Sequence, residues 1–174
     1  MAFDSERAWL EGALGRFEAP LLRYAASLVG AAAAPDVVQD TFLALCRAQR
    51  EKVADHLGPW LFVVCKHQAL ELLRDRRRLE PLEEDEMTNA TSDEPWLGPE
   101  QKHSLERVQV LLNELPERQR QAVILKFAAG LSYKEIAEVM DVSVTHVGVI
   151  LHTALGRLRD RWAEPAVALS ARSL

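Results

Sequence analysis

The apolar residues of this chain recur at three- and four-residue steps rather than at alternate positions. This spacing is typical of helices that bury one face. In the first 79 residues the pattern predicts three helices, at about 6–29, 36–50 and 59–78. Pro20 falls inside the first helix and predicts a kink, whereas Pro35 and Pro59 suit the first turns of the second and third. We therefore predict an all-α fold.

The stretch from Leu131 to Arg159 has the punctuation of two short helices joined by a tight turn. Gly130 can end the preceding helix in a left-handed conformation, and Ser132 with Glu135 forms a capping-box pattern. The first helix breaks at 141–143, and Ser143 can cap the helix that follows. One face of this second helix is apolar and holds Val147, Leu151, Ala154, Leu155, Leu158 and Trp162. Its opposite face carries Thr145, Val149, His152, Thr153 and Gly156. Such a pair can place a helix in the major groove of DNA, although an ordinary helical hairpin has the same pattern.

The other predicted helices also have two distinct faces. In the third helix the apolar face holds Leu61, Phe62, Cys65, Ala69, Leu72 and Leu73, and the other holds Trp60, Val64, His67, Glu71, Arg74 and Arg78. Cations can bind the phosphates of a single-stranded nucleic acid and flat rings can stack on its bases, so this face could bind such a strand. The alternative interpretation is a basic helix end that is simply solvated. In the second helix Val38, Phe42 and Leu45 are predicted to be buried, opposite Asp36, Asp40, Leu43, Arg47 and Arg50. That charged stripe is either a docking face or plain solvated surface.

Charge divides the chain into three parts. Residues 1–79 hold 11 Lys and Arg against 10 Asp and Glu, and residues 100–174 hold 10 against 9, so each part has a net charge of +1. Residues 80–99 hold seven carboxylates and no cation, so they account for the overall charge of −5. We predict two small helical domains, 1–79 and 100–174, joined by a flexible acidic linker over 80–99.

The remaining composition excludes several classes of function. No apolar run approaches the roughly 20 residues that cross a bilayer, so we expect a cytosolic protein without membrane insertion. Cys46 and Cys65 stand among apolar neighbours and are predicted to be core thiols. The five histidines show no metal-ligand spacing and there is no glycine-rich phosphate loop, so we expect no metal, no cofactor and no catalytic residues.

Four motifs appear in a particular order: PDVVQDTF, WLFVVCKHQALELLRDRRR, the acidic linker, and LPERQRQAVILKFAAGLSYKEIAEVM with the helix that follows it. Together they resemble the extracytoplasmic-function group of bacterial RNA polymerase sigma-70 factors, from about Leu21 to Trp162. The resemblance implies a transcription initiation factor with sigma region 2 and sigma region 4 domains. It implies core RNA polymerase, promoter DNA and an anti-sigma factor or other regulator as partners.

The resemblance also assigns roles to residues. Docking on the β′ clamp helices of the polymerase falls to Asp36, Gln39, Asp40, Phe42 and Leu43. Opening of the downstream (−10) element, with capture of a flipped base, falls to Trp60, Lys66, His67, Arg74, Arg77 and Arg78. Reading of the upstream (−35) element falls to Lys134, Thr145, His146, Val149, His152 and Thr153, on a domain that also docks on the β flap. The acidic linker would thread the basic RNA path of the polymerase, or would act as a simple tether.

The sequence departs from the family pattern at two places. Many members carry Lys or Arg in the middle of the recognition helix, whereas none occurs here from Val144 to Gly156. Because phosphate contacts dominate affinity for DNA, upstream binding should be weaker, with Lys134, Arg118 and Arg120 as the remaining phosphate ligands. A second hypothesis follows, in which the C-terminal domain mainly binds an anti-sigma factor or activator. At the second place, His67 stands where the family often has asparagine, and it can stack on a base.

Overall fold

A computed structural model describes residues 2–79 and 107–163, and every regular element within these ranges is helical. The predicted linker over 80–99 lies outside the described residues, so its flexibility and its path stay predictions. The all-α class predicted from the spacing of apolar residues is confirmed.

The N-terminal half is built from three long helices and two short ones. They are α1 (Ala2–Val29), α2 (Ala34–Arg47), α3 (Arg50–Val53), a 3₁₀ turn (Ala54–His56) and α4 (Leu57–Leu79). The helix α1 continues through Pro20, so the proline does not interrupt it. It ends at Gly30, whose φ of 82° is favourable only for glycine. The second helix, predicted over 36–50, begins two residues earlier and ends three residues earlier, because the chain becomes extended at Ala48.

The core of this half lies where α1, α2 and α4 pack against one another. Tyr24 and Phe62 meet edge to face, with ring centroids 5.4 Å apart and an interplanar angle of 81°. The two faces predicted for α4 are confirmed, since Cys65 and Ala69 are buried whereas His67 and Arg74 are exposed.

One of the two predicted core thiols is in fact exposed. Cys65 is buried as predicted, whereas Cys46 is exposed. The physical reason lies in the helix geometry, because Leu45 takes the inward position and the next residue lies about 100° further round α2. Apolar neighbours in the sequence therefore did not decide the burial of Cys46.

The C-terminal half contains the helix-turn-helix. Its elements are the segment α5 (107–113), α6 (Glu117–Val123) with a π-turn (Ile124–Ala128), α7 (Tyr133–Met140) and α8 (Val144–Ala163). The axes of α7 and α8 differ by 98°, within the range of helix-turn-helix units. No single helix in the described ranges has the length and apolarity to cross a bilayer; the bent pair α7 and α8 passes that test by length and composition only.

The local signals at the helix-turn-helix are confirmed. Gly130 has a φ of 71°, and the Leu131 amide donates to the Leu125 carbonyl across it at 3.0 Å. The Glu135 amide donates to the Ser132 hydroxyl at 3.3 Å, and the Ser132 amide donates to the Glu135 carboxylate at 2.7 Å, which completes the capping box. Ser143 caps the start of α8, because the His146 amide donates to the Ser143 hydroxyl at 3.2 Å.

Two residues of the predicted apolar face of α8 are not in the core. Leu155 and Trp162 are 44% and 46% exposed, whereas Ile150, which the prediction omitted, is buried. Instead of packing inward, the Trp162 ring lies under the Arg107 guanidinium of α5, 4.5 Å from its centroid. Arg107 also donates to the Trp162 carbonyl at 2.7 Å. The short α5 therefore replaces core packing at the C-terminal end of α8.

The two halves pack directly against each other. Helix α4 contacts α7, and α1 contacts α6 and the π-turn. Buried apolar residues of both halves form one connected cluster, so the two helical domains share a common core. Gly58 of α4 lies at this junction, where a Cβ would be 3.2 Å from the Leu131 side chain of the C-terminal half and 3.4 Å from the Phe17 ring of α1.

Candidate nucleic-acid and polymerase interfaces

The outer face of α4 presents cations beside an aromatic ring. His67, Arg74, Arg77 and Arg78 are exposed, and Trp60 is half-buried against the core. The guanidinium of Arg78 lies 3.9 Å from the Asp75 carboxylate, with both side chains largely exposed. An exposed pair at this distance contributes little and leaves the arginine available to another anion.

Lys66 occupies a different position from the other members of its predicted group. It is half-buried at the contact between the two halves, and its Nζ donates to the Val139 carbonyl of α7 at 3.0 Å. Of the six predicted downstream-element residues, the structure therefore exposes four on α4, leaves Trp60 half-buried on the same helix, and directs Lys66 towards the C-terminal half.

The stripe along α2 is mostly open. Asp36, Gln39 and Asp40 are exposed, and Leu43 is 44% exposed. Phe42 is half-buried and packs against the core, as its predicted inward position requires. The result is a surface of carboxylates and an amide next to one apolar side chain, which suits a partner that offers both cations and an apolar contact.

The predicted upstream-element residues all lie on open surface. Lys134 is exposed on α7, and Thr145, His146, Val149, His152 and Thr153 are exposed on α8. The Thr153 hydroxyl donates to the Val149 carbonyl at 2.9 Å, so its proton is used within the helix. Val149 is 59% exposed, which makes the centre of this face apolar.

Sequence reasoning missed Tyr133 as part of this surface. Its side chain is 43% exposed, and a Cβ at Gly148 would lie 3.9 Å from its ring. The Lys126 ammonium lies 5.4 Å from the centre of the same ring. No local pattern predicts this contact, because it depends on the angle between α7 and α8.

Arg120 was wrongly predicted to be available for phosphates. It is only 8% exposed, and one terminal nitrogen donates to the Ser27 carbonyl of α1 at 3.2 Å. Burial lowers the pKa of its guanidinium, and the Glu117 carboxylate partly opposes that shift. Arg118 and Lys134, the other two cations named with it, are exposed.

The hydrogen bonds of the capping box change the pKa of Glu135. The pKa of the Glu135 carboxyl lies below its usual value, chiefly because the Ser132 hydroxyl and amide hydrogen-bond to it. Lys126 and, from α1 of the other half, Arg16 add smaller contributions in the same direction. A charged Glu135 therefore stabilises the start of α7 at neutral pH.

Comparison with known proteins decides what this arrangement is. The family described as sigma-70 region 2 matches residues 14–79, and the family described as sigma-70, region 4 matches residues 105–158. The sigma factor EcfG of Rhodopseudomonas palustris is 31% identical over 142 residues, which cover 80% of this chain and 77% of EcfG. The chain belongs to the extracytoplasmic-function group of RNA polymerase sigma factors.

Two further relatives are similar to the same degree. SigD of Mycobacterium tuberculosis is 31% identical to this sigma factor over 176 residues, which cover 91% of the chain and 79% of SigD. SigE of Mycolicibacterium smegmatis is also 31% identical, and there the chain spans about half of the relative, 52% of its length. The sigma factor thus has a promoter-directing function in transcription initiation. At this level of description, members of the family are initiation factors and not enzymes.

Solved structures share the fold. RpoE of Bartonella quintana, in complex with the anti-sigma factor NepR, has a TM-score of 0.68 at 23% identity, covering 91% of this chain and 95% of RpoE. CnrH, in complex with the cytosolic domain of CnrY, has a TM-score of 0.59 at 25% identity, covering 90% of this chain and 88% of CnrH. Both likenesses extend over region 2 and region 4 together.

Proposed function

We propose that this sigma factor docks on core polymerase through α2, opens the downstream promoter element with the outer face of α4, and presents α8 to the upstream element. The observation that carries the proposal is the outer face of α4. There His67 and the three arginines at positions 74, 77 and 78 are open to solvent beside the half-buried Trp60. Because promoters and polymerase are cytoplasmic in bacteria, the protein would act in the cytoplasm.

The α4 face supports the opening of DNA without a chemical energy source. Guanidinium groups bind phosphates, and binding releases the counterions that surround them. A flat ring such as that of Trp60 or His67 can stack on an unpaired base, which stabilises a strand by roughly 1–3 kcal/mol per base. Flipping a base costs a few kcal/mol, so one or two stacked bases with several phosphate contacts can offset it. No group in this scheme needs to be a catalytic residue or to hold a cofactor.

The α2 stripe supports polymerase docking by charge and by its one apolar residue. Asp36 and Asp40 lie one helical turn apart on the exposed side, with Gln39 between them and Leu43 one turn further on. Carboxylates in this arrangement favour a partner helix with basic residues, such as a clamp helix of the β′ subunit. The exposed leucine would then be covered on binding.

A charge reversal tests this docking site. Asp40→Lys should weaken binding to core polymerase, because the new cation would face the basic residues of the partner. Glu18→Lys makes the same change at an exposed position of α1 outside the stripe and serves as the matched control. Affinity measured with labelled protein and purified core enzyme should fall for the first variant only. Equal affinities for the two variants would exclude the stripe as the docking site.

A second function is favoured by the surface of α8. It has no Lys or Arg from Val144 to Gly156, and Val149 and Tyr133 give it an apolar centre. Such a surface suits a protein better than a phosphate backbone. RpoE and CnrH were each solved in complex with another protein, NepR and the cytosolic domain of CnrY respectively. Region 4 of this chain would then bind an anti-sigma factor or an activator in place of upstream DNA.

Promoter scanning separates the two functions. If α8 reads DNA, then base changes in the upstream element should lower transcript yield from reconstituted polymerase, and Val149→Asp should abolish that dependence. If α8 mainly binds a protein, then transcript yield should be indifferent to the upstream element while changes in the downstream element remain harmful.

A further inference from the structure

The outward face of α8 has a neutral centre and a cation at its C-terminal end. Thr145, Val149 and Thr153 follow one another at steps of four residues, and Arg157 continues the same line one turn further on. All four side chains are exposed. No Lys or Arg occurs from Val144 to Gly156, so the middle of the line offers only uncharged groups to a ligand.

This distribution of charge matches the major groove of DNA. Phosphates line the rims of the groove, whereas its floor presents the edges of the bases, which carry no net charge. Arg157 and, on α7, Lys134 are exposed cations that suit the rims. Val149 and Thr153 are about 6 Å apart along the helix axis, so on the floor of the groove they would contact different base pairs.

Val149 stands beside a gap in this face. Its side chain is 59% exposed, and the neighbouring Gly148 has no side chain of its own. Outside α8, a Cβ at Gly148 would meet only the Tyr133 ring among the described residues, at 3.9 Å. A gap between a valine and an aromatic ring suits a methyl group. Thymine is the base that presents a methyl group in the major groove.

The Thr153 hydroxyl can accept a hydrogen bond from a base, but its own proton is already used. It donates to the Val149 carbonyl at 2.9 Å, so it presents only lone pairs to the outside. In the major groove adenine and cytosine present amino groups, which donate, whereas guanine and thymine present only acceptors. Thr153 therefore favours an amino group and disfavours guanine.

We infer that Val149 and Thr153 determine the base specificity of the upstream element. Val149 selects a thymine through its methyl group, and Thr153 selects an adenine or a cytosine through its amino group. Guanine is disfavoured at both positions, because Arg and Lys, its usual two-point ligands, are absent from the centre of this face. The inference rests on the proposed reading of upstream DNA by α8 and adds which bases that surface binds.

Selection from a promoter library tests this specificity. A promoter identified from transcript start sites on genomic DNA keeps its downstream element and receives random bases in the upstream element. Holoenzyme made from the full-length protein and core polymerase transcribes the library, and barcodes in the transcripts report the preferred base at each position. The parent protein should prefer thymine at one position and adenine or cytosine at another, each by roughly 5-fold or more.

Substitutions on α8 then assign the thymine preference. Val149→Ala shortens the apolar side chain and should remove this preference while the amino preference remains. Gly148→Ala places a methyl group in the gap and should have the same effect. This variant should fold, because its Cβ lies at ordinary contact distance from the Tyr133 ring and alanine favours a helix. Val110→Ala shortens a valine that is 45% exposed on α5 and, as the matched control, should keep both preferences.

Two further substitutions assign the amino preference. Thr153→Val removes the hydroxyl at nearly constant shape and should remove the amino preference alone. Thr153→Ser keeps the hydroxyl and should retain the preference.

Each arm of the experiment can overturn the inference. A thymine preference that survives both Val149→Ala and Gly148→Ala would overturn the role of Val149, and an amino preference that survives Thr153→Val would overturn the role of Thr153. A parental preference for guanine at the positions these variants affect would overturn both. A parent with no upstream base preference, on promoters where downstream changes still abolish transcription, would instead refute the proposed reading of upstream DNA by α8.

Discussion

Removing the three arginines at the end of α4 should change how salt affects DNA binding. The triple variant Arg74→Gln, Arg77→Gln and Arg78→Gln keeps helix-compatible side chains and removes three exposed cations. On single strands each phosphate contact contributes about 0.7 to the slope of log affinity against log salt, so the slope should fall by about 2. Over a fourfold rise in salt, the parent complex should therefore lose about 20-fold more affinity than the variant complex.

The assay is fluorescence anisotropy of a labelled non-template strand with the sigma factor bound to core polymerase, over about 50–200 mM salt. Arg76→Gln is the matched control, because residue 76 lies about 200° around α4 from Arg74 and points away from the proposed DNA face. Its slope should equal that of the parent. A triple variant with the parental slope would refute the assignment of this face to phosphates, even if its affinity at one salt concentration were lower.

Two predictions concern stability. Ser132→Ala removes the acceptor of the Glu135 amide and should lower the free energy of unfolding by about 1 kcal/mol in chemical denaturation. Because the folded pKa of Glu135 is depressed, the stability that its charged carboxylate contributes is present above the ordinary carboxyl pKa and is lost as pH falls through the lower folded pKa. Ser132→Ala should therefore lose less stability than the parent protein when the pH is lowered. An equal loss in the two proteins would contradict the role of the Ser132 hydrogen bonds in lowering this pKa. Tyr24→Phe removes a buried hydroxyl without a hydrogen-bond partner among the described residues and keeps the ring packing on Phe62, so stability should hold or rise by about 1–3 kcal/mol. A clear loss of stability in thermal unfolding would show that the hydroxyl is satisfied.

The parts of the fold that were predictable depend on contacts between near neighbours in the chain. The capping box of Ser132 and Glu135 and the left-handed Gly130 each involve residues within a single turn, so their spacing alone identified the helix-turn-helix. The two faces of α4 followed from helical periodicity for the same reason. These local signals also placed the exposed side of α8.

The parts that were missed depend on contacts between distant residues. The bonds of Lys66 and Arg120 join residues 73 and 93 positions apart, and no pattern within either half predicts them. The sequence alone therefore predicts that both cations bind DNA, whereas in the structure they donate to carbonyls of the opposite half. The exposure of Trp162 likewise depends on Arg107 of α5, which competes with the core for that ring.

Transcription by purified core polymerase supplied with this protein tests the central claim most directly. Sequencing of transcript 5′ ends from a genomic DNA template should give a defined set of start sites that share a downstream element, and Asp40→Lys should remove them while Glu18→Lys should not. Start sites identical to those of core polymerase alone would contradict the account.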